Sequence, residues 1–514
     1  MTFEIVFVLL SLLGMMAALI ADKMRPGMVL FSVVVLFLCA GILTPKEMLE
    51  GFSNKGMITV ALLFLVSEGI RQSGTLGQVI KKLLPQGKTT VFKAQLRILP
   101  SVAFISAFLN NTPVVVIFAP IIKHWAKSVK LPATKFLIPL SYVTILGGIC
   151  TLIGTSTNLV VHGMILEAGY EGFTMFELGK VGIFIAIAGI IYLFIFSKRL
   201  LPDARPDTAV PDEEVEEGEK LHRVEAVLGA RFPGINKKLS DFNFQRHYGA
   251  EVKEIKTRNG QRYVNHLEDV VLREGDTLVV MADDTFIPTW GESSVFVLLT
   301  NGNDPDTSGK KKRWLALILL VLMIVGATVG ELPATKEMFP DIKLDMFFFV
   351  CITTIIMAWT NIFPARKYTK YISWDILITI ACAFAISKAM VNSGVADCVA
   401  GFIIGLSDDY GPHVLLAILF VITNLFTELI TNNAAAALAF PLALSISAQL
   451  GVSPTPFFVV ICMAASASFS TPIGYQTNLI VQGIGNYKFT DFVRIGLPLN
   501  IITFLISVIL IPLI

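Results

Sequence analysis

The sequence predicts an all-α polytopic membrane protein made of two inverted repeats, with a small cytosolic α/β domain inserted between them. Three observations lead to this prediction. The chain of 514 residues is 54% hydrophobic and only 16% charged, with a mean hydropathy of +0.70. One long polar segment interrupts the apolar sequence, and similar motifs recur on both sides of it. Soluble domains carry about 25% charged residues, so a soluble protein is excluded.

Several apolar runs reach the roughly 17–25 residues that a helix needs to cross a bilayer. They cover residues 4–21, 27–43, 181–201, 314–330 and 495–514. The first run has no basic residue before it and no small-residue cleavage site after it, so we expect a span and not a signal peptide. The expected location is the cell (inner) membrane, in contact with the lipid bilayer.

The polar segment covers residues 202–312 and alternates in strand fashion, as in A-E-V-K-E-I and D-V-V-L-R-E-G-D-T-L-V-V-M. A turn is expected at Glu274–Asp276. Basic pairs and clusters, Lys198–Arg199 and Lys310–Arg313, flank the segment. Basic flanks mark the cytoplasmic side of a membrane. We therefore expect a first membrane repeat over 1–201, a cytosolic insert over 202–312, and a second, inverted membrane repeat over 313–514.

The basic loops orient the remaining spans. Loops at 22–25, 71–88, 123–135, 366–370 and 488–494 are basic. All of them are cytoplasmic if residues 91–123 enter and leave from the cytoplasm and residues 414–449 enter and leave from outside. Each half then has three spans, a re-entrant hairpin and two spans. Five crossings are an odd number, so the second half starts on the opposite side of the membrane from the first.

Internal similarity supports the repeat directly. When the chain is shifted so that Thr59 falls on Thr379, further matching residues recur in the same order in both halves. The pairs are Ser67 with Ser387, Ser73–Gly74 with Ser393–Gly394, Gly154 with Gly474, and Thr157–Leu159 with Thr477–Leu479. The adjacent pair Asn110–Asn111 matches Asn432–Asn433 at a slightly larger shift, which a small insertion explains.

The two asparagine pairs lie in apolar surroundings, F-L-N-N-T-P and L-I-T-N-N-A. Unsatisfied amides in hydrocarbon cost several kcal/mol, so such groups are retained where they line an enclosed cavity. Each hairpin precedes a span interrupted by glycine, proline and hydroxyl residues, L-I-G-T-S-T-N-L and F-S-T-P-I-G-Y-Q-T-N-L. Inverted-repeat transporters bind their ions and substrates between such broken helices. The alternative is that these polar residues only join helices.

These motifs resemble those of the divalent anion/sodium symporter family (DASS, in the ion-transporter superfamily). The hairpin tips are similar to that family's paired S-N-T motifs, and G-T-x-x-N and P-I-G-x-x-T-N are similar to its unwound spans. The resemblance covers both membrane repeats. It implies an elevator-type homodimer in which a transport domain moves against a scaffold. It also implies Na⁺ as the coupling ion, bound at two sites, and no other cofactor.

The resemblance implies a role for residues of both halves. The first sodium site would use Ser106, Asn110, Asn111 and Gly154. The second would use Glu428, Thr431, Asn432, Asn433 and Gly474. The anion would contact Asn111, Thr112, Asn433 and Thr471. The unwound spans would be supported by Thr155, Thr157, Asn158, Pro472, Thr477 and Asn478. The chain departs from the family where Asn110 and Asn432 stand in place of serines, and Ala434 in place of a threonine.

The insert, from residue 222 to about 284, resembles the TrkA-C domain, the C-terminal lobe of regulators of potassium conductance (RCK). The matching pieces include H-R-V-E-A-V-L and V-V-L-R-E-G-D-T-L-V-V-M. This resemblance implies dimerisation and the sensing of a small ligand such as a cyclic dinucleotide, and a passive cap is an equal alternative. The insert contains no G-x-G-x-x-G motif, so a nicotinamide cofactor is not indicated.

Glu428 is the ionisable residue nearest to an asparagine pair, at the place that Ser106 takes in the first repeat when the two asparagine pairs are matched. A carboxylate there could strengthen Na⁺ binding, accept a proton or serve a structural pairing. The histidines do not cluster and no nucleophile stands beside a base, so an enzyme is not expected, and net charge +2 gives no indication of nucleic-acid binding.

The function implied is a sodium-coupled symporter importing a small divalent oxyanion by an elevator-type alternating-access mechanism. Sulfate is favoured over a C4-dicarboxylate, because the tips have lost hydroxyls and members that carry a TrkA-C insert resemble the sulfate-transporting branch. The alternative is an uncoupled or proton-coupled anion permease or efflux protein of the arsenite-permease type. An ion channel is disfavoured because no T-V-G-Y-G filter is present.

Overall fold

A computed structural model describes residues 3–21, 24–85, 87–203, 222–229, 232–257, 261–283, 286, 290, 295–300, 310–339, 341–405 and 412–513. Helices dominate this part of the chain, and seven of them are long and apolar enough to cross a membrane. A polytopic helical membrane protein is therefore supported.

The first half contains ten helices in the described residues. They are α1 Phe3–Ala21, α2 Pro26–Cys39, α3 Pro45–Glu50, α4 Lys55–Gln72, α5 Thr75–Leu83, α6 Val91–Ser106, α7 Asn111–Ser128, α8 Leu137–Gly148, α9 Ser156–Glu167 and α10 Gly179–Leu200. The apolar run at 27–43 is helical only as far as Cys39, because Gly41 turns the chain with a φ of +73°.

The insert contains a five-stranded antiparallel sheet, with strand order β3-β2-β4-β1-β5. Its strands are β1 His222–Leu228, β2 Glu251–Lys256, β3 Arg262–Tyr263, β4 Thr277–Ala282 and β5 Phe296–Thr300, with the short helix α11 Phe244–Tyr248. The predicted turn is present at Gly275, where φ is +85°. The described part of the insert is mainly sheet, so the predicted helical share of an α/β domain is small.

The second half contains eleven helices in the described residues, one more than the first. Its helices in the described residues are α12 Lys310–Gly330, α13 Pro333–Met338, α14 Met346–Trp359, α15 Tyr368–Tyr371, α16 Trp374–Asn392, α17 Val395–Gly405, α18 Pro412–Leu429, α19 Asn432–Leu450, α20 Thr455–Ser466, α21 Gln476–Gly485 and α22 Phe489–Leu510. Gly74 and Gly394, matched in the sequence, precede α5 and α17 with φ values of +71° and +77°. The opposite orientation of the halves in the membrane stays a prediction.

The two hairpins, α6 with α7 and α18 with α19, pack against the two interrupted helices, α8 with α9 and α20 with α21. The hairpin helix α7 packs against α21, and its counterpart α19 packs against α9. The long helices α10 and α22, which end the two halves, pack against each other. Helix α4 packs against α9, α12 and α14. The hairpins and the interrupted helices of both halves thus form one connected unit, beside which α4, α12 and α14 stand.

The insert contacts this unit through a half-buried ion pair. Glu225 on β1 lies 3.0 Å from the Lys123 ammonium on α7 and 3.3 Å from that of Lys256 on β2. Burial alone would raise the pKa of the Glu225 carboxyl, but the two ammonium groups outweigh it and lower this pKa to about 2. Gly483 on α21 lies against Thr277 so closely that an added Cβ would be 2.6 Å from the threonine Oγ1. The insert therefore rests on α7 and α21.

Candidate functional site

The first hairpin turns at a pair of fully buried polar side chains. Helix α6 ends at Ser106 and helix α7 begins at Asn111. The Ser106 hydroxyl donates a hydrogen bond of 2.7 Å to Asn111 Oδ1, and both residues are 0% exposed. Asn110 stands at the N-cap without a side-chain capping bond. The turn therefore closes on the Asn111 amide.

The second hairpin turns in the same way. The Thr427 hydroxyl lies 2.8 Å from Asn432 Oδ1, at the start of α19, and 2.6 Å from the Ala465 carbonyl oxygen, so these two acceptors share its proton. Thr431 is the N-cap, and its Oγ1 is buried without a hydrogen-bond partner among the described residues. The two tips are thus equivalent when Ser106 is aligned with Thr427 and Asn111 with Asn432.

This geometry corrects the alignment of the two asparagine pairs. The sequence comparison matches Asn111 with Asn433, whereas the structure places Asn111 and Asn432 at the first position of their helices. Ser106 accordingly corresponds to Thr427 and not to Glu428. Two adjacent asparagines in each half allow either alignment, and the helix start decides between them.

Each interrupted helix is held open by an asparagine of its second segment. In the first half, Asn158 Nδ2 donates to the carbonyl oxygens of Gly148 and Thr151, at 3.4 and 2.9 Å. In the second half, Asn478 Nδ2 donates to the carbonyl oxygens of Ser468 and Thr471, at 2.9 and 3.1 Å. The predicted supporting role of these two asparagines therefore has a direct physical basis, because each one satisfies carbonyls that the break leaves without helical partners.

A threonine ties each break to its own hairpin. The Thr151 hydroxyl donates to the Ala107 carbonyl and accepts from the Gly154 amide. The Thr471 hydroxyl donates to the Glu428 carbonyl at 3.0 Å and accepts from the Gly474 amide at 3.3 Å. Among the described residues, Thr471 makes no hydrogen bond to Asn111 or Asn433. Its hydroxyl therefore belongs to the wall of the break.

The remaining residues predicted to support the second break are buried beside it. The Ser141 hydroxyl on α8 donates to Asn478 Oδ1 at 2.7 Å and lies 2.9 Å from Thr477 Oγ1. Pro472 is buried and has no amide hydrogen to leave unpaired. At the corresponding place in the first half, the Leu152 amide donates to the Met175 carbonyl. Because residue 472 is a proline, the second break has no amide hydrogen there that would need an acceptor.

Glycines bring backbone oxygens close to the hairpin tips. A Cβ added at Gly148 would lie 2.7 Å from Asn111 Oδ1, and one at Gly154 would lie 2.5 Å from the Gly148 carbonyl oxygen. A Cβ added at Gly474 would lie 2.4 Å from the Thr427 carbonyl oxygen and 2.0 Å from Ser468 Oγ. These distances leave no room for a larger residue.

Two groups of uncharged oxygens result, one in each half. The first cradle consists of Ser106, Asn111, Gly148 and Gly154. The second cradle consists of Thr427, Asn432, Ser468 and Gly474. Each combines a hydroxyl, an amide oxygen and backbone carbonyls, which are the ligands that hard cations prefer. The residues of each cradle fit a bound Na⁺ by the chemistry of their donors.

Each hairpin tip also contacts the interrupted helix of the other half. Thr112 Oγ1 donates to Gln476 Oε1 at 3.3 Å. Asn433 Oδ1 accepts from Ser156 Oγ at 3.3 Å and from Thr157 Oγ1 at 3.2 Å. The second residue of each hairpin helix therefore meets the first turn of the opposite broken helix. The structure brings Asn433, Thr157 and Thr112 into one central region.

Tyr475, at the end of the second break, lies at the centre of this region and was missed by the sequence analysis. Its hydroxyl accepts a 2.6 Å hydrogen bond from Asn111 Nδ2 and lies 3.1 Å from Thr155 Oγ1. The Asn432 side chain interacts with the same hydroxyl. Both hairpin tips and both breaks therefore meet at one phenol oxygen.

Glu428 lies beside the second cradle and not in it. Its Oε1 accepts from the Ser470 amide at 2.8 Å and from Asn500 Nδ2 at 2.7 Å. Its Oε2 and the Asn500 Oδ1 are buried without hydrogen-bond partners among the described residues. No hydrogen bond joins the Glu428 carboxylate to Asn432 or Asn433 in that part of the chain. Asn500, on the last long helix α22, is a second residue that the sequence analysis missed.

The first tip faces α4 and α12 across a cavity of about 10 Å³, lined by Asn110, Ser156, Ser67 and apolar side chains. This volume is at the lower limit for one water molecule. The cavity is therefore too small for an oxyanion.

The sequence profile of the citrate transporter family matches residues 16–451 and 338–514. The chain belongs to the citrate transporter family. An uncharacterized transporter of Synechocystis sp. is 30% identical, with 94% of this chain and 92% of that protein aligned. The "Probable sodium/sulfate cotransporter 3" of Chlamydomonas reinhardtii is 22% identical over 94% of this chain and 85% of its own length. The sodium-dependent dicarboxylate transporter of Staphylococcus saprophyticus is 25% identical over 28% of each chain.

The family and these relatives are transporters, which confirms that this member of the citrate transporter family is a transporter and not an enzyme. Relatives named for sodium with sulfate and for sodium with dicarboxylate support the resemblance to the divalent anion/sodium symporters.

Proposed function

We propose that this transporter is a sodium-coupled symporter that imports a small divalent oxyanion, sulfate ahead of a C4-dicarboxylate. The observation that carries the proposal is the pairing of two uncharged oxygen cradles with a central region rich in hydrogen-bond donors. Na⁺ would bind in the cradles, and the anion would bind between them. The names of relatives in Chlamydomonas reinhardtii and Staphylococcus saprophyticus agree with sodium coupling.

The first sodium site would use Ser106, Asn111 and the carbonyls of the first break, with Asn110 at the entrance. The second would use Thr427, Asn432 and the backbone around Gly474, because the matched tips make Asn432, and not Asn433, the counterpart of Asn111. Neither cradle contains a carboxylate, so two bound cations bring two positive charges to the centre. These charges offset a dianion and make its binding depend on sodium.

The anion would be held by amides and helix termini. Helices α7, α9, α19 and α21 all begin at the central region, at Asn111, Ser156, Asn432 and Gln476. The N-terminus of a helix carries a partial positive charge and free amide hydrogens, which suit an anion. Asn433 Oδ1 accepts from the hydroxyls of Ser156 and Thr157, and Asn433 Nδ2 makes no hydrogen bond to any described residue. We assign Asn111, Thr112 and Asn433 to the anion, and Thr471 to the break.

Sulfate fits this arrangement better than an extended dicarboxylate does. It is a compact dianion that accepts hydrogen bonds on all sides, and the donors converge from four helix starts onto one region. A dicarboxylate needs two separated clusters of donors, and Ala434 offers no hydroxyl to one of them.

The transport cycle would follow from the way the helices are grouped. The hairpins and broken helices form one unit through α7 with α21 and α9 with α19, and α4 packs against that unit at α9. We propose inverted repeats with re-entrant hairpins, in which this unit moves as an elevator against a scaffold that includes α4 in a homodimer. As this unit moves, the small cavity at the first tip would open first to one side of the membrane and then to the other.

The insert would be a cytosolic TrkA-C-like domain. Its antiparallel sheet rests on α7 and α21, two of the four helices that start at the anion region. A small ligand such as a cyclic dinucleotide bound to the insert could therefore act on the transporting unit directly, and a passive cap would use the same contacts.

Glu428 favours a second candidate, a proton-coupled permease. Its Oε2 is buried and has no hydrogen-bond partner among the described residues, so a proton there would stabilise it. Transport driven by a proton gradient, equal in sodium and potassium buffers and lost in Glu428→Gln, would establish this candidate in place of sodium symport.

The proposed substrate is tested by competition against labelled sulfate uptake in the presence of sodium. Excess unlabelled thiosulfate should inhibit uptake, and succinate or malate should not. Inhibition by succinate without inhibition by thiosulfate would refute sulfate and keep a sodium-coupled dianion symporter. Asn433→Ala should abolish uptake while the purified protein keeps its elution volume.

A further inference from the structure

Thr155 and Tyr475 stand at equivalent positions of the two halves, 320 residues apart, and their hydroxyls contact each other at 3.1 Å. Equivalent residues of a repeat touch only beside the axis that relates the halves. The anion region, which both halves build, lies on the same axis. The pair therefore marks the centre of the proposed substrate site.

The two residues of this pair differ, although the hydrogen bonds around them are alike in the two halves. The hydrogen bonds that Asn158 and Asn478 donate to carbonyls of the breaks recur in both halves, as do the hydrogen bonds at the hairpin tips. On the axis, however, one half has a threonine and the other a tyrosine. The Tyr475 ring occupies space that a second threonine would leave free, and only 9% of this residue is exposed.

We propose that Tyr475 determines the substrate specificity of this transporter by limiting the anion to one compact oxyanion. This inference rests on the proposed symport of a dianion. The phenol ring takes the place of the second charged end of an extended dicarboxylate. The phenol hydroxyl, which stands between Asn111 and Thr155, donates a hydrogen bond to the anion from the axis.

The partners of the Tyr475 hydroxyl allow it to bind an anion. It accepts from Asn111 Nδ2 at 2.6 Å and contacts Thr155, so it stays satisfied when no anion is bound. When an anion arrives near Asn111, the Tyr475 hydroxyl would leave Thr155 and donate its hydrogen bond to an oxygen of the anion. A charged acceptor makes a stronger hydrogen bond than a neutral hydroxyl does. The site thus gains a donor without a buried, unpaired phenol between transport cycles.

Two variants separate the ring from the hydroxyl. Tyr475→Phe keeps the ring and should raise the KM for sulfate about tenfold or more, the usual effect of losing one hydrogen bond to a charged group. It should still exclude succinate. Tyr475→Thr copies the residue of the first half and should make succinate both an inhibitor and a substrate. Tyr192→Phe is the matched control, because the buried Tyr192 hydroxyl donates to the Ile495 carbonyl at 3.0 Å, outside the site. Its KM and selectivity should not change.

Uptake and binding are measured separately, the latter as the shift in thermal unfolding of the purified proteins with sulfate or succinate. Succinate binding that appears in Tyr475→Thr but not in Tyr475→Phe supports the inference. Selectivity unchanged in both variants overturns it, as does a wild-type protein that binds succinate and not sulfate or binds neither. Sulfate-selective binding that follows Tyr475, without sodium-dependent uptake, refutes symport and keeps the inference.

Discussion

Replacing Asn111 by alanine should greatly weaken the binding of sodium and only moderately reduce the stability of the fold. Asn111 Oδ1 accepts from Ser106 and Asn111 Nδ2 donates to Tyr475, at 2.7 and 2.6 Å. In the variant the Ser106 hydroxyl is left buried without this partner, while Tyr475 keeps Thr155. A buried polar group that loses its partner costs about 1–3 kcal/mol, so Asn111→Ala should fold with a stability loss of that order.

The functional loss should be larger, because the alanine removes an oxygen ligand of a cation. A hydrogen bond or ligand contact to a charged group contributes about 1.5–3 kcal/mol, which corresponds to a tenfold to hundredfold change in affinity. The assay is the sodium concentration for half-maximal sulfate uptake. We expect it to rise at least about tenfold, the lower end of that range.

Gln95→Ala is the matched control for this prediction. Gln95 is an equally buried amide on the same hairpin, and its Nε2 donates to the Lys135 carbonyl at 2.7 Å and to Ser197 Oγ at 2.9 Å. It lies outside both cradles, so its loss should lower thermal stability by a comparable amount and leave the sodium requirement unchanged. If both variants show the same sodium dependence as the wild type, Asn111 is not a sodium ligand.

Single contacts give three further predictions. Gly474→Ala should abolish transport because its Cβ would lie 2.0 Å from Ser468 Oγ, whereas Gly14→Ala, with no atom within 4 Å, should transport normally. A cysteine at Lys253, an exposed position on β2, should resist impermeant thiol reagents in intact cells, and ready labelling would refute a cytosolic insert. Glu225→Gln should loosen the insert from α7, seen as faster limited proteolysis of the insert. Because the pKa of Glu225 is lowered to about 2, the Lys123 pair should persist from neutral pH to below the usual carboxyl pKa of about 4.3 and be lost only as pH falls towards 2.

Much of the helical framework could be read from local patterns. Apolar length places the long helices, and Gly, Pro and hydroxyl residues mark both breaks where the structure has them. The alternation of polar and apolar residues predicts β2 and β4, with their turn at Gly275. These features depend on near neighbours in the sequence, so a short stretch of pattern is enough to find them.

The centre of the site depends on contacts that no local pattern contains. Tyr475 meets Asn111 across 364 residues, and Glu428 meets Asn500 across 72 residues. The hairpin alignment failed by one position because adjacent asparagines match in two ways. Pro120 and Pro441, inside the two hairpin helices, align in the same register as Asn111 with Asn432 and could have resolved it. The tyrosine opposite a threonine was a visible departure from the repeat.

Sulfate accumulation in proteoliposomes tests sodium coupling most directly. Purified protein is reconstituted, and labelled sulfate uptake is measured with an inward sodium gradient or with choline replacing sodium, at equal pH on both sides. The two cradles predict accumulation above the external concentration with sodium, collapse on adding a sodium ionophore, and no accumulation in choline. Equal sulfate uptake in sodium and in choline would contradict sodium-coupled transport.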